Sequence, residues 1–299
     1  MTDTELKAII QAAGGECWAL DDADALLEKI NRLETAGGYG SLLTQFRSAK
    51  EPGDLRGRVL EANFADLFVQ KGIALQYGAK QAKQGMSGDV DFCWCVNGVQ
   101  VFIEMKLLGQ DQMTKNAINQ QLENTGFCAT LISDDTRDVA RIQRDIFEKS
   151  STKKFNPQLE PTTINLVAVD VSELQLGTVD IGDCLLAAGG NELVASHCHQ
   201  TFQRTAVVGV FESAGKTLTT EQAEWVRCYH GPSGADIPHP RDYIHGVLFL
   251  FREPRERAAL SYELRGAVVW NPALIDDARA KPVLEAFHQI VPRAEFKSC

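Results

Sequence analysis

The chain has 299 residues, 44% hydrophobic and 23% charged, the proportions of a globular protein with material for one large domain or two modest ones. Its formal net charge of −10 argues against a simple DNA-coating protein, because a wholly acidic surface repels nucleic acid, but leaves room for an enzyme with a local basic groove. No apolar run marks a membrane span, "MTDTELKAIIQAAGGE" lacks a signal-peptide core, and the eight cysteines of so long and core-rich a chain read as reduced thiols, so a cytoplasmic protein is expected.

Residues 1–50 read as a helical segment, with apolar spacings of three and four in "TELKAIIQAA" and "DADALLEKINRLE" and Gly-Gly breaks at 14–15 and 37–38. Pro52 and Gly53 mark a boundary, after which a helix is expected over about 55–71, ended by Gly72. "IALQYG" follows as a short strand. Two period-two strands then flank Asn97-Gly98, a strong tight-turn signal. Helices are expected at 111–124 and 136–150. "TINLVAVDVSEL" (163–174) is a continuous apolar run of the kind found in a strand covered on both faces. Strands are further expected at 205–212, 243–253 and 266–272, and helices at 219–229 and 276–290. The alternation indicates an α/β fold with a mixed central sheet flanked by helices, in which residues 51–174 form a core and 175–299 extend the sheet.

The hairpin "GDVDFCWCVNGVQVFIEMKLL" (88–108) carries charge where a core strand should not. Residues two apart share a face of a strand, so Asp89 pairs with Asp91, and Glu104 with Lys106, on neighbouring strands. A strand covered on both faces holds such groups only if they are paired. One explanation is a buried salt bridge between Lys106 and an acid. Another is a metal site. Two carboxylates on adjacent strands, with the Met105 carbonyl, can hold Mg²⁺ through oxygen, while the lysine orients or deprotonates a water or offsets charge on phosphate.

Asp91, followed by Glu104-Met105-Lys106, resembles the motif of the PD-(D/E)XK nuclease superfamily, and the order helix, three strands, helix, strand resembles its restriction endonuclease-like core. Val90 stands where that family's proline would be. The similarity covers about residues 53–172. Glu61, within the apolar stripe Leu60, Phe64, Leu67 and Phe68 of the preceding helix, matches a glutamate that many members direct to the metal. The resemblance implies a nuclease hydrolysing phosphodiester bonds in nucleic acid, expected to be DNA, with Mg²⁺ or Mn²⁺ as cofactor. Asp91, Glu104, the Met105 carbonyl and Glu61 would hold the ion, and Lys106 would handle the attacking water. A homodimer would suit cutting of two strands. The alternatives are a nuclease-like module that binds nucleic acid or protein without turnover, and a structural ion network.

Weaker signals surround this cluster. Gln120 and Gln121 lie on the next expected helix, where some members of the family use a glutamine. Arg56, Arg58, Lys149, Lys153 and Lys154 give local positive charge that can meet phosphates. His197, Cys198 and His199, with Cys228 and His230, do not have the spacing of a zinc finger. "ESAGKTL" lacks the full phosphate-loop spacing, and His245 in "HGVLFLF" reads as a satisfied core histidine.

Overall fold

The structure is a computed structural model. It describes residues 1–13, 22–81, 88–109, 116–117, 120–121, 123–124, 126, 135–158, 160–174, 179–190, 208–212, 217–230, 238–252 and 259–294. Three N-terminal helices, α1 (Asp3–Ala12), α2 (Ala23–Ala36) and α3 (Gly40–Ser48), precede the long α4 (Pro52–Gln70). Then come β1 (Leu75–Ala79), β2 (Val90–Val96), β3 (Val99–Leu107), α5 (Asp135–Lys149) and β4 (Thr163–Asp170). The chain continues through α6 (Ile181–Gly189), α7 (Thr220–Tyr229), β5 (Gly246–Phe251), β6 (Arg265–Trp270) and α8 (Asp277–His288).

The six strands form one mixed sheet in sequence order. β1–β2, β2–β3 and β5–β6 are antiparallel, whereas β3–β4 and β4–β5 are parallel. The parallel steps are the two places where a helical crossover separates consecutive strands, as that geometry requires. All eight residues of β4 are buried, which accounts for its continuous apolar run. Alternate side chains of the central strands serve two separate cores. Val101, Ile103 and Met105 of β3 pack with α1–α4 and α8, including Leu26, Phe46, Phe64 and Phe287. Phe102, on the other face, packs with Val139, Ile142 and Ile146 of α5 and with Cys184 and Leu186 of α6. The N-terminal helices thus share one core with the sheet.

Most expected elements lie within a few residues of their place. The strand expected at 205–212 differs: its described part, 208–212, is a turn, and residues 201–207 lie outside the described residues. Val210 and Phe211 donate their N–H groups to Ala187 and Ala188, so this apolar segment caps the end of α6 instead of joining the sheet. The helix expected at 111–124 falls largely outside the described residues, although Gln120 and Gln121 are helical. No helix among the described residues is long and apolar enough to cross a membrane.

Candidate metal centre

The tight turn at Asn97 (φ 50°) and Gly98 (φ 78°) sets the register of β2 on β3. Paired residues run from Val96↔Val99 to Phe92↔Ile103, and the pairing stops there. Continued by one step, the register brings Asp91 beside Glu104, on the face that carries Cys93 and Phe102. Instead of ladder bonding, the Met105 N–H donates to Asp91 Oδ2 at 2.7 Å. Along β3 the even-numbered amides at Gln100 and Leu108 donate to the β4 side, so the odd-numbered Met105 turns its N–H, and with it its C=O, toward β2. Asp91 therefore occupies the mouth of a fork between the two strands.

The fork has a cause in β1. Gly78 faces Asp91 in the β1–β2 register, between the pairs Tyr77↔Phe92 and Ala79↔Val90. It adopts φ 63°, a left-handed conformation that a side chain disfavours. Past it the ribbon rolls. Ala79 and Val90 pack in the α5 core, although simple alternation would place them with Phe92 on the α4 side.

Glu104 is fully buried. Its Oε1 accepts from two ammonium groups, Lys149 Nζ at 2.7 Å and Lys154 Nζ at 2.6 Å. Its Oε2 is buried without a hydrogen-bond partner among the described residues. An unsatisfied carboxylate oxygen in a core is costly, and it is the clearest point of attachment for a cation in this cluster. Burial pushes the Asp91 carboxyl up to about 7, helped by the negative charges of Glu104 and Glu61, while Lys149 and the Met105 N–H oppose the rise. Burial works to lower the Lys149 ammonium, but Glu104, Asp91 and Glu61 outweigh it and hold the group above its ordinary value.

Glu61 comes from the opposite layer. Phe92 packs against Phe64 of α4 (centroids 5.5 Å apart) and Tyr77 of β1 (5.4 Å), which sets this helix beside β1. Glu61 accepts from Arg58 Nη1 at 2.7 Å and from the Tyr77 hydroxyl at 2.9 Å. Burial raises its carboxyl above the ordinary range, against the pull of Arg58 and Tyr77. It influences Asp91 through its charge and is engaged by its own two partners.

The remaining expected residues are spread around this centre. Lys106 reaches Asp145 and Glu148 of α5 at 3.8 and 3.9 Å, longer than hydrogen bonds, and is about one-third exposed. The buried partner of Glu104 is therefore not Lys106. Asp89 is exposed and lies 3.4 Å from Lys80. Arg56 pairs with Glu173 at 3.2 Å, and Arg58 serves Glu61. Gln120 is exposed. His245 accepts from the Asn165 N–H through Nδ1 at 3.1 Å. His197, Cys198 and His199 lie outside the described residues.

Sequence reasoning missed Tyr77 as the holder of Glu61, and Lys149 and Lys154 as the counter-charges of Glu104. Lys149 had a signal: Val139, Ile142, Ile146 and Lys149 follow one helical stripe, so the lysine prolongs a buried face.

The donor set suits a hard divalent cation of low protein-ligand demand. Among the described residues no group of three or more His, Cys, Asp or Glu side chains gathers as a metal cage. Mg²⁺ does not require one, since it keeps several waters and commonly takes one or two carboxylates plus substrate phosphates. Asp91, Glu104 and the inward-facing Met105 carbonyl meet that description, and the bare Oε2 supplies an unengaged oxygen donor. No protein-family model, curated protein or solved structure matches the chain.

Proposed function

We propose that the protein is a metal-dependent nuclease of the restriction endonuclease-like fold that hydrolyses phosphodiester bonds in nucleic acid, with DNA as the expected substrate. The observation that carries this reading is the fully buried Glu104, its Oε2 without a hydrogen-bond partner among the described residues, beside Asp91 at a strand fork. The segment order α4, β1, β2, β3, α5, β4 supports it, because it is the order that the motif's family would require. Asp91 and Glu104 would hold Mg²⁺ or Mn²⁺, with the Met105 carbonyl turned to the same gap. The ion would activate a water and polarise a phosphoryl oxygen. Lys106, close to the centre but weakly tied at 3.8 Å or more, is available to orient that water and to offset charge on the phosphate. Glu61, anchored by Arg58 and Tyr77, reinforces the negative potential behind Asp91. A cytoplasmic location and a homodimer cutting two strands belong to the same reading.

A second reading, a nuclease-like module that binds without turnover, is favoured by one arrangement. Lys149 and Lys154 already neutralise Glu104, as a structural ion network would. Mn²⁺ or Mg²⁺ titration followed by thermal unfolding separates the two. The nuclease reading expects stabilisation of the wild-type chain, its loss in Asp91→Ala and Glu104→Ala, and plasmid or oligonucleotide cleavage that Lys106→Ala abolishes while metal binding persists. Equal melting responses of wild type and both carboxylate variants would rule the metal centre out. Metal binding without cleavage of any nucleic acid would favour the second reading.

A further inference from the structure

We infer that Lys149 and Lys154 form the phosphate-gripping side of this centre, holding Glu104 in the resting chain and turning to the non-bridging oxygens of a nucleic-acid backbone once a divalent cation takes Glu104. The inference rests on the metal-centre reading above.

Two ammonium groups converge on one oxygen, at 2.7 and 2.6 Å, while the other oxygen of the same carboxylate has no hydrogen-bond partner among the described residues. Two cations crowded on one acceptor repel each other, and such an arrangement persists only where the backbone places both. The backbone does so here. The turn after α5 is pinned by Phe155, which is fully buried, by the Tyr243 hydroxyl donating to the Ser150 carbonyl, and by the Ser150 hydroxyl donating to the Ile146 carbonyl. Gly88, just ahead of β2, donates its N–H to the Lys153 carbonyl at 3.0 Å. A Cβ on Gly88 would lie 2.9 Å from Lys154 Cγ and 3.1 Å from the Lys153 carbonyl oxygen, so a side chain there would push Lys154 from its place.

Charge sets what the pair would bind. Glu61, Asp91 and Glu104 face Arg58, Lys149 and Lys154, a balanced set when all are ionised. A divalent cation would leave the centre with excess positive charge, and an anion would restore the balance. Both lysine side chains stay about 30% exposed (28% and 32%), so an anion can reach them from solvent. Lysine is a phosphate binder of the point-charge kind, and its flexible stem allows the transfer from carboxylate to phosphate.

The test uses the full chain, a fluorescent single-stranded or duplex oligonucleotide and Ca²⁺ or Mn²⁺, with binding read by anisotropy and metal affinity by calorimetry. Lys149→Gln with Lys154→Gln is expected to weaken oligonucleotide binding at least about tenfold and to reduce its salt dependence by close to the two contacts removed. The same variant is expected to bind Mn²⁺ more tightly than wild type, because the competing ammoniums are gone. Lys281→Gln, which removes an exposed lysine of α8 away from the centre, is expected to leave oligonucleotide binding intact. Lys154→Gln alone keeps Lys149 on Glu104, and Gly88→Ala displaces Lys154 at constant charge; each is expected to weaken oligonucleotide binding by a smaller factor if the double variant does not fold. Unchanged oligonucleotide affinity in these variants, with Mn²⁺ still bound at Asp91 and Glu104, overturns the inference and leaves the nuclease reading standing. Wild-type protein that binds no Mn²⁺ overturns the nuclease reading itself.

Discussion

At the scale of single residues, the centre is a set of acids whose cost is met unequally. Glu104 has two cations on one oxygen, so replacing it by alanine strands Lys149 and Lys154 together. About 3 kcal/mol of stability should be lost, readable as a fall in the urea midpoint. Lys106→Ala should cost less than Glu104→Ala, on the order of 1 kcal/mol, since its contacts to the buried Asp145 and the exposed Glu148 exceed 3.5 Å and the ammonium is partly in water. Asp91 supplies a pH dependence. Its folded-state pKa is raised to about 7 from an ordinary value near 3.8, so the native chain holds a proton there that the unfolded chain has released. Stability should therefore fall as pH rises between about 4 and 7, by on the order of 2 kcal/mol once solvent at the partly exposed side chain is allowed for. Asp91→Asn should flatten that slope in metal-free thermal melts recorded across this range. A saturating divalent cation should flatten it as well, because it favours the ionised carboxylate. The acids of this centre are legible in sequence, because charge on an apolar period-two strand is conspicuous. Their counter-ions are not: the Asp91–Glu104 pair is local to a hairpin, whereas Lys149 and Lys154 arrive 45 and 50 residues after Glu104.

At the scale of elements, the fork between β2 and β3 is what opens a candidate site in an otherwise regular hairpin, and Gly78 stands opposite it. The position has φ 63° and open space where a methyl group would stand, so Gly78→Ala strains the backbone without a steric clash. The expected cost is about 1 kcal/mol in chemical unfolding, with weakened Mn²⁺ binding because Asp91 faces this residue. Gly57→Ala, inside α4 with nothing within 4 Å of the added carbon, should be neutral or stabilise by up to about 1 kcal/mol. The contrast separates a glycine whose left-handed backbone is required from one that is a mere occupant. Sequence pattern reveals the hairpin, its turn and the strand before it, because alternation and Asn-Gly are local signals. It cannot reveal the roll at Gly78, which depends on β1 meeting β2 across an intervening segment. The apolar stretch 208–212 is deceptive for the same reason: "VGVFE" has strand composition, but the Val210 and Phe211 amides are spent on the end of α6.

At the scale of the whole molecule, the sheet is covered on both faces, and the layers contribute differently. The α5 layer brings the lysines to Glu104; the α4 layer brings Glu61 to Tyr77. The first 50 residues are not a detachable appendage to this plan. Leu6, Leu26, Ile30 and Phe46 share a core with Phe64, Ile103 and Phe287, and Arg32 of α2 binds Asp66 of α4 through two hydrogen bonds of 2.8 and 2.9 Å. A chain beginning at residue 51 should lose cooperative thermal unfolding in far-UV circular dichroism, because one side of α4 and its buried Asp66 would face water. The helical character of that segment is plain from its apolar spacing, but its integration into the main core is not, since periodicity shows which face is buried and not against what. The most direct measurement is anomalous diffraction from crystals soaked in Mn²⁺. A manganese peak between Asp91 and Glu104, with Glu104 Oε2 among its ligands, is the predicted result. A map with no manganese at the fork, and with Lys149 and Lys154 still on Glu104 at saturating Mn²⁺, would contradict the proposed metal centre.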